Sequence, residues 1–319
     1  MKWGWVASQA LVAAAMLQMN GAAAQTYPTR QIELIIPWVA GGGVDIVGRS
    51  VAAAMGAELG QNFVVLNRDG AAGTIGFNAL SGATPDGYTL GGGPTTPIAN
   101  APYLVKGTRY TVESFDYICQ YFENVFALTV RDDSRFKSMQ ELLAAAKADP
   151  GKLTYGHAGP GTIPHLAAEN VGLELGIKFQ PVPFRGDAQL LPVLLKGDVD
   201  FGSVALASLR GQKVRPLLVF ADKRHPAFPD VPIASEVGVA TSVPPGHNGM
   251  FGPKGLPNDV RQKLETACGN AVKGEAVQKS VTNVGGLTTY LSSEDFRKQT
   301  VTDYKFKGDL MRKLGLEAK

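Results

Sequence analysis

From Tyr27 to the C-terminus, short apolar runs alternate with longer stretches of helical period. That alternation is the pattern of repeated βα units around a largely parallel sheet. Ile32 to Pro37 is expected as the first strand. After the loop Trp38 to Gly43, the residues Ile46, Val47, Val51, Met55 and Leu59 share one face of a helix from Asp45 to Leu59, which Gly60 ends. Phe63 to Leu66 is the next strand, Gly70 to Gly76 leads into a second helix, and the turn Pro85-Asp86-Gly87 precedes a strand from Tyr88 to Gly91.

The units then restart, which predicts a second domain. Ser138 to Glu141 is a capping box for a helix reaching Ala148, where Asp149-Pro150-Gly151 stops it. Strands are expected at Leu153 to Gly156, Phe179 to Pro183, Val199 to Ser203 and Leu217 to Phe220, with a helix beginning near Pro164. Gly255 to Asn258 introduces a helix to Lys273, Leu287 to Leu291 reads as one more strand, and Ser292 to Asp295 caps a last helix ending near Leu314.

The first 24 residues fall outside this pattern. Lys2, the apolar stretch Val6 to Met19 and the small residues Ala22 to Ala24 read as a secretory signal cleaved near Ala24/Gln25. The 295 residues that follow suffice for two domains. Their charge is +2, since the formal +3 loses Lys2, and such a balance gives no reason to expect nucleic acid as a partner. An exported chain permits a disulfide between Cys119 and Cys268; the alternative is two buried thiols too far apart to bridge.

Two glycine loops carry the candidate chemistry. In Ala40-Gly41-Gly42-Gly43-Val44-Asp45 a strand passes into a helix through residues that allow close backbone approach, and the free N–H groups of the helix start form an anion site. Asp45 suits a helix cap better than a direct ligand contact. His157-Ala158-Gly159-Pro160-Gly161-Thr162-Ile163-Pro164-His165 repeats the arrangement in the second half. Two such loops facing each other would hold one anion from both sides. Neither is a dinucleotide fingerprint or a Walker loop. His157 and His165 lack a third ligand at metal spacing, no nucleophile elbow is present, and no cofactor is called for.

Taken together and in order, these stretches resemble the tripartite tricarboxylate transporter solute receptors, the Bug family of periplasmic binding proteins. The resemblance rests on Tyr27 to Ile32 with Ile35 to Asp45, Asn67 to Gly76 with Pro85 to Leu90, Gly159 to Leu166, and Pro183 to Gly186 with Leu195 to Asp200. It implies an α/β, two-lobed periplasmic binding protein, a Venus flytrap of type II-like form with two crossing hinge strands. Those strands would be Phe122 to Val130 and Gly249 to Gly252, with residues 25–122 plus 250–319 as one lobe and 123–249 as the other. It implies a periplasmic, monomeric receptor, not an enzyme, that closes on a small organic carboxylate and delivers it to membrane permease subunits. A ligand sensor feeding a sensor kinase, and an exported enzyme working through His157, His165 and Asp45, are the other readings. Carried over residue by residue, the site comprises Ala40, Gly41, Gly42, Gly43 and Asp45; Thr95 and Thr96; and Gly159, Gly161, Thr162 and His165. Three departures from the family pattern join it. Trp38 replaces the usual Phe, widening an apolar wall or simply packing; His157 replaces a serine; and Val204-Ala205 stands where relatives place a polar pair. The last change disfavours a ligand with an ammonium group, because a buried cation would lack its counter-charge. A dicarboxylate or an aromatic acid remains open.

Overall fold

The computed structural model describes residues 27–317, so the expected leader and its cleavage point at Ala24/Gln25 lie outside the described residues. The first half runs β1 (Ile32–Ile36), α1 (Gly43–Leu59), β2 (Phe63–Asn67), α2 (Thr74–Ser81), β3 (Thr89–Pro94), the short helices α3 (Thr96–Ala99) and α4 (Ala101–Leu104), and β4 (Phe115–Asn124). The second runs β5 (Phe126–Arg131), α5 (Met139–Ala148), β6 (Thr154–His157), α6 (Ile163–Leu175), β7 (Gln180–Pro183), α7 (Asp187–Lys196), β8 (Phe201–Ala205) and β9 (Val214–Phe220). The chain then returns through β10 (Gly246–Pro253), α8 (Asn258–Lys273), α9 (Glu275–Asn283), β11 (Leu287–Leu291) and α10 (Ser293–Lys313).

The strands form two sheets, one in order β11-β4-β10-β3-β1-β2 and one in order β7-β6-β8-β5-β9. β1 pairs parallel with β2 and β3, and β6 with β7 and β8, as right-handed βα crossovers require. β4, β10 and β11 in the first sheet, and β5 in the second, run antiparallel to their neighbours. This is the two-lobed α/β fold expected from the sequence.

The crossings position the cleft. β4 belongs to the first sheet, β5 to the second, and only the buried Val125 separates them. Residues Phe122 to Val130, expected as one crossing strand, are thus the end of one strand and most of the next. The return crossing is β10, which starts three residues before the expected Gly249 and pairs with β4. A third link is α10: Phe296 packs in an aromatic cluster with Phe77, Phe115, Tyr117 and Phe251, whereas Leu310 and Met311 lie in the core around the second sheet.

Local signals explain the element ends. Gly60 closes α1 in the left-handed region at φ 69°. Ser138 caps α5 by accepting the Glu141 N–H, while Glu141 reaches back to the N–H of Lys137, one residue before the box position. Ser292 caps α10 through the Asp295 N–H. Cys119 in β4 and Cys268 in α8 form a disulfide, with Cα atoms 6.4 Å apart, in the core between the first sheet and α8.

Candidate functional site

Two cavities on the seam between the lobes border the glycine loops. The larger, about 260 Å³, is lined from the first lobe by Trp38, Gly42, Gly43, Val44 and Val284, from the crossing by Phe122 and Asn124, and from the second lobe by Ala205, Ala207 and Ser208. The smaller, about 50 Å³, lies between Thr96, Pro97, Asn100 and Leu104 on one side and Pro160, Gly161 and Thr162 on the other. Trp38, which lines the first, and Pro97, which lines the second, both press on Gly73, where a Cβ would come within 2.7 Å of each. The two glycine loops therefore border different cavities, with this wedge between them.

In the first loop the helix starts at Gly43, two residues earlier than expected, with Gly42 as its N-cap and no side-chain cap. The first-turn N–H groups of Gly43, Val44 and Asp45 have no carbonyl within the helix to reach, and Gly43 and Val44 border the larger cavity. Asp45 is therefore not the cap. It is buried in the first turn, and its carboxylate accepts from the Gly41 N–H (2.9 Å), Arg49 Nε (2.9 Å) and Asn67 Nδ2 (2.8 Å). Burial alone pushes Asp45 up, but hydrogen bonds from Arg49, Gly41 and Asn67 outweigh it and hold the carboxyl below its ordinary range. Gly41, at φ 81°, adopts the left-handed turn that presents its N–H to that carboxylate, and Ala40 lies exposed in the same turn. Asn67 also donates to the Trp38 carbonyl, so β2 pins the loop from below.

In the second lobe Thr162 is the N-cap of α6, but its hydroxyl donates to the Gly159 carbonyl (2.7 Å) and so closes the loop on itself. Gly161 makes a direct bond between the lobes, its carbonyl accepting from Asn100 Nδ2 at 2.8 Å. His157 and His165 are buried behind this loop and stack at 4.2 Å between centroids; neither lines a cavity. The Gly161 N–H donates to His165 Nδ1, which places the proton on Nε2. Burial, then the charge of the neighbouring His157, pushes His165 down to about 4, and burial lowers His157 as well.

Thr95 is fully buried at the end of β3, where its N–H donates to the His247 carbonyl, and Thr96 is half-buried beside the second loop. Val204 packs in the core of the second lobe with Val125, Ala127 and Leu190; its neighbour Ala205 takes the cavity position. Sequence reasoning missed Asn124, Ala207, Ser208 and Val284 on the wall and Asp187 behind it. The Asp187 carboxylate accepts from the Ala205 N–H (2.9 Å) and the Ser208 hydroxyl (2.7 Å), and burial pushes its pKa up against those two bonds. No charged side chain lines the larger cavity, and the described residues hold no cluster of potential metal ligands.

This fold and cleft define a solute receptor. The sequence profile of the tripartite tricarboxylate transporter family receptor (TctC) matches residues 47–316, and the chain belongs to that family, one of solute receptors rather than enzymes. A UPF0065 protein of Bordetella pertussis is 32% identical over 308 residues, covering 95% of each chain. The crystal structure of a TctC solute binding protein from Polaromonas is 32% identical with a TM-score of 0.80, covering 90% of this chain and 100% of that one. MatC from Rhodopseudomonas palustris with bound malate is 26% identical with a TM-score of 0.74, covering 89% and 99%. No helix among the described residues is long and apolar enough to cross a membrane.

Proposed function

We propose that this receptor captures a small organic carboxylate in the larger cavity between its lobes and delivers it, in the periplasm, to the permease subunits of a tripartite transporter. The observation that carries the reading is the start of α1 on an inter-lobe cavity without a lysine or arginine. An anion there meets oriented amides and a helix dipole, while the apolar walls of Trp38, Val44, Phe122 and Val284 suit an aliphatic or aromatic body. The bound malate of MatC, a relative with this fold, supports the carboxylate class. Residues 25–122 with 250–319 act as one lobe and 123–249 as the other, closing about the crossing strands, with the end of α10 seated on the second lobe. Because the ligand touches both lobes, it stabilises the closed form.

Isothermal titration against mono- and dicarboxylates, aliphatic and aromatic, tests the proposal. Binding tighter than about 1 mM by at least one acid is expected, and failure of every acid at that level sinks it. Mass spectrometry of the periplasmic protein is expected to find Gln25 at its N-terminus.

A further inference from the structure

A third cavity, about 250 Å³, lies on the seam beside the larger one, and Ala207, just after β8, lines both. Val284 borders the larger cavity and Gly285 this one. At Gly285, which adopts φ 63°, the lobes come so close that a Cβ would stand 2.9 Å from the Ala207 backbone. The two cavities are therefore neighbours across one lobe-to-lobe contact. The walls of the third are largely apolar, with Leu209, Val214, Pro216 and Phe228 on the second lobe facing the end of α9 on the first. A dry apolar cavity of about 150 Å³ takes up benzene, so this one has room for an aromatic ring and a polar head group.

Two polar side chains break the apolar lining. Arg210 is exposed at the rim, where one of its terminal nitrogens donates to the Thr282 carbonyl across the seam at 3.3 Å. Its other N–H groups leave a positive charge at the cavity, and no acidic side chain lines the walls to balance it. His225 is only 6% exposed. The Ala227 N–H donates to its Nδ1 at 3.2 Å, which leaves the ring proton on Nε2. Burial lowers the pKa of this ring and keeps it neutral. Among the described residues the buried Nε2 has no hydrogen-bond partner, a costly state for a donor.

We propose that this cavity is a second ligand site, which takes a small monocarboxylate with an apolar body. The carboxylate supplies the negative charge that Arg210 lacks opposite it and the acceptor that the His225 Nε2–H lacks, while the ring or chain fills the space against Phe228 and Pro216. The solute cavity offers amides and no charged side chain; this one offers a guanidinium and an imidazole and no helix start. The two sites are thus chemically distinct, and neither needs the other.

Benzoate is the probe, followed by nitrogen-15 NMR of the backbone amides and histidine rings. It is expected to move the His225 Nε2 resonance and the amides of Ala227 and Gly285, saturating in the millimolar range that so small a ligand can reach. Benzyl alcohol, of similar shape and uncharged, is expected to bind at least about tenfold more weakly. Arg210→Met, which keeps the apolar stem at an exposed position, is expected to lose about the same factor, and His225→Phe to weaken binding as well. Thr282→Trp, exposed at the end of α9, is expected to fill the cavity and abolish the shifts, and Gly43→Pro to leave them in place. Because the shifts are read on the unaltered chain, the test does not depend on how the variants fold. No movement at His225, Ala227 and Gly285 up to about 10 mM benzoate overturns the site, and equal affinity in the parent and in Arg210→Met overturns the carboxylate class. Shifts confined to Gly43 and Val44 also overturn the second site and leave the receptor reading standing; shifts at His225 with none at Gly43 for any acid do the reverse.

Discussion

Replacing Gly43 by proline removes one amide donor from the proposed anion site and little else. Gly43 is the first residue of α1, where proline is well accommodated because its missing N–H has no partner in the helix. The residue before it, Gly42, sits at φ −74° and ψ 165°, the extended conformation a following proline demands. A Cβ at position 43 would meet Val284 at 3.4 Å, an ordinary contact, so Gly43→Ala is the matched control that keeps the N–H. A hydrogen bond to an ionised group contributes about 1.5–3 kcal/mol, which corresponds to roughly 10- to 150-fold in affinity. Titration of the best carboxylate from the panel is expected to show that loss for Gly43→Pro against Gly43→Ala, with both variants melting within a few degrees of the parent. Equal affinities for the two variants would refute the assignment of the α1 start as the anion site.

Two further outcomes follow from buried groups. The Cys119–Cys268 bond closes a sequence separation of 149 residues, so loop entropy gives it about 5 kcal/mol; the double alanine variant should lose about that much in urea unfolding, and a loss under about 1 kcal/mol contradicts it. His165 is pushed from 6.5 to about 4, so the folded state binds fewer protons than the unfolded one. Its stabilising effect is complete above about 6.5 and is lost as the pH falls toward 4, about 3 kcal/mol in all. His165→Asn keeps an acceptor for the Gly161 N–H and should flatten that part of the profile; an unchanged slope between those pH values counts against it.

Elements whose ends are decided by neighbouring residues are legible in the sequence. The stop at Gly60 and the caps at Ser138 and Ser292 each need only a few residues of context. The start of α1 is not, because Asp45 reads as a cap until Arg49 and Asn67 are seen to hold its carboxylate, and Asn67 comes from the neighbouring strand. α7 is obscured by Pro192 in its interior, and α9 by its length of nine residues, although Val277 and Val281 mark its buried face. β4 hides for a different reason: residues Tyr117 to Phe122 are all buried, so no alternation of apolar and polar positions shows. Each glycine loop is contiguous in the chain and stands out for that reason. The remaining cavity wall comes from Phe122 and Asn124, from Ala205 to Ser208 and from Val284, segments that only the crossing of β4 and β10 brings together.

The choice between one and two carboxylates on the ligand turns on Asp187. Asp45 and Asp187 each use a first-turn carboxylate to hold a wall of the cavity, but Asp45 has Arg49 beside it, whereas Asp187 is bound only by the neutral Ala205 N–H and Ser208 hydroxyl. The side of the cavity opposite α1 is therefore backed by an acid with no cation among its hydrogen-bond partners. A cavity of 260 Å³ is about 8 Å across if round, so a second carboxylate at that end lies within that distance of an ionised Asp187, where two unit charges at an effective dielectric constant of about 20 repel by about 2 kcal/mol or more. A ligand with a second ionised carboxylate at that end is disfavoured by roughly 30-fold against a monocarboxylate of the same length. Asp187→Asn keeps an acceptor for the Ala205 N–H and removes the charge. It should narrow the ratio of the two dissociation constants by most of that factor while the monocarboxylate binds as before. If the ratio is the same in both proteins, Asp187 does not set the charge of the ligand.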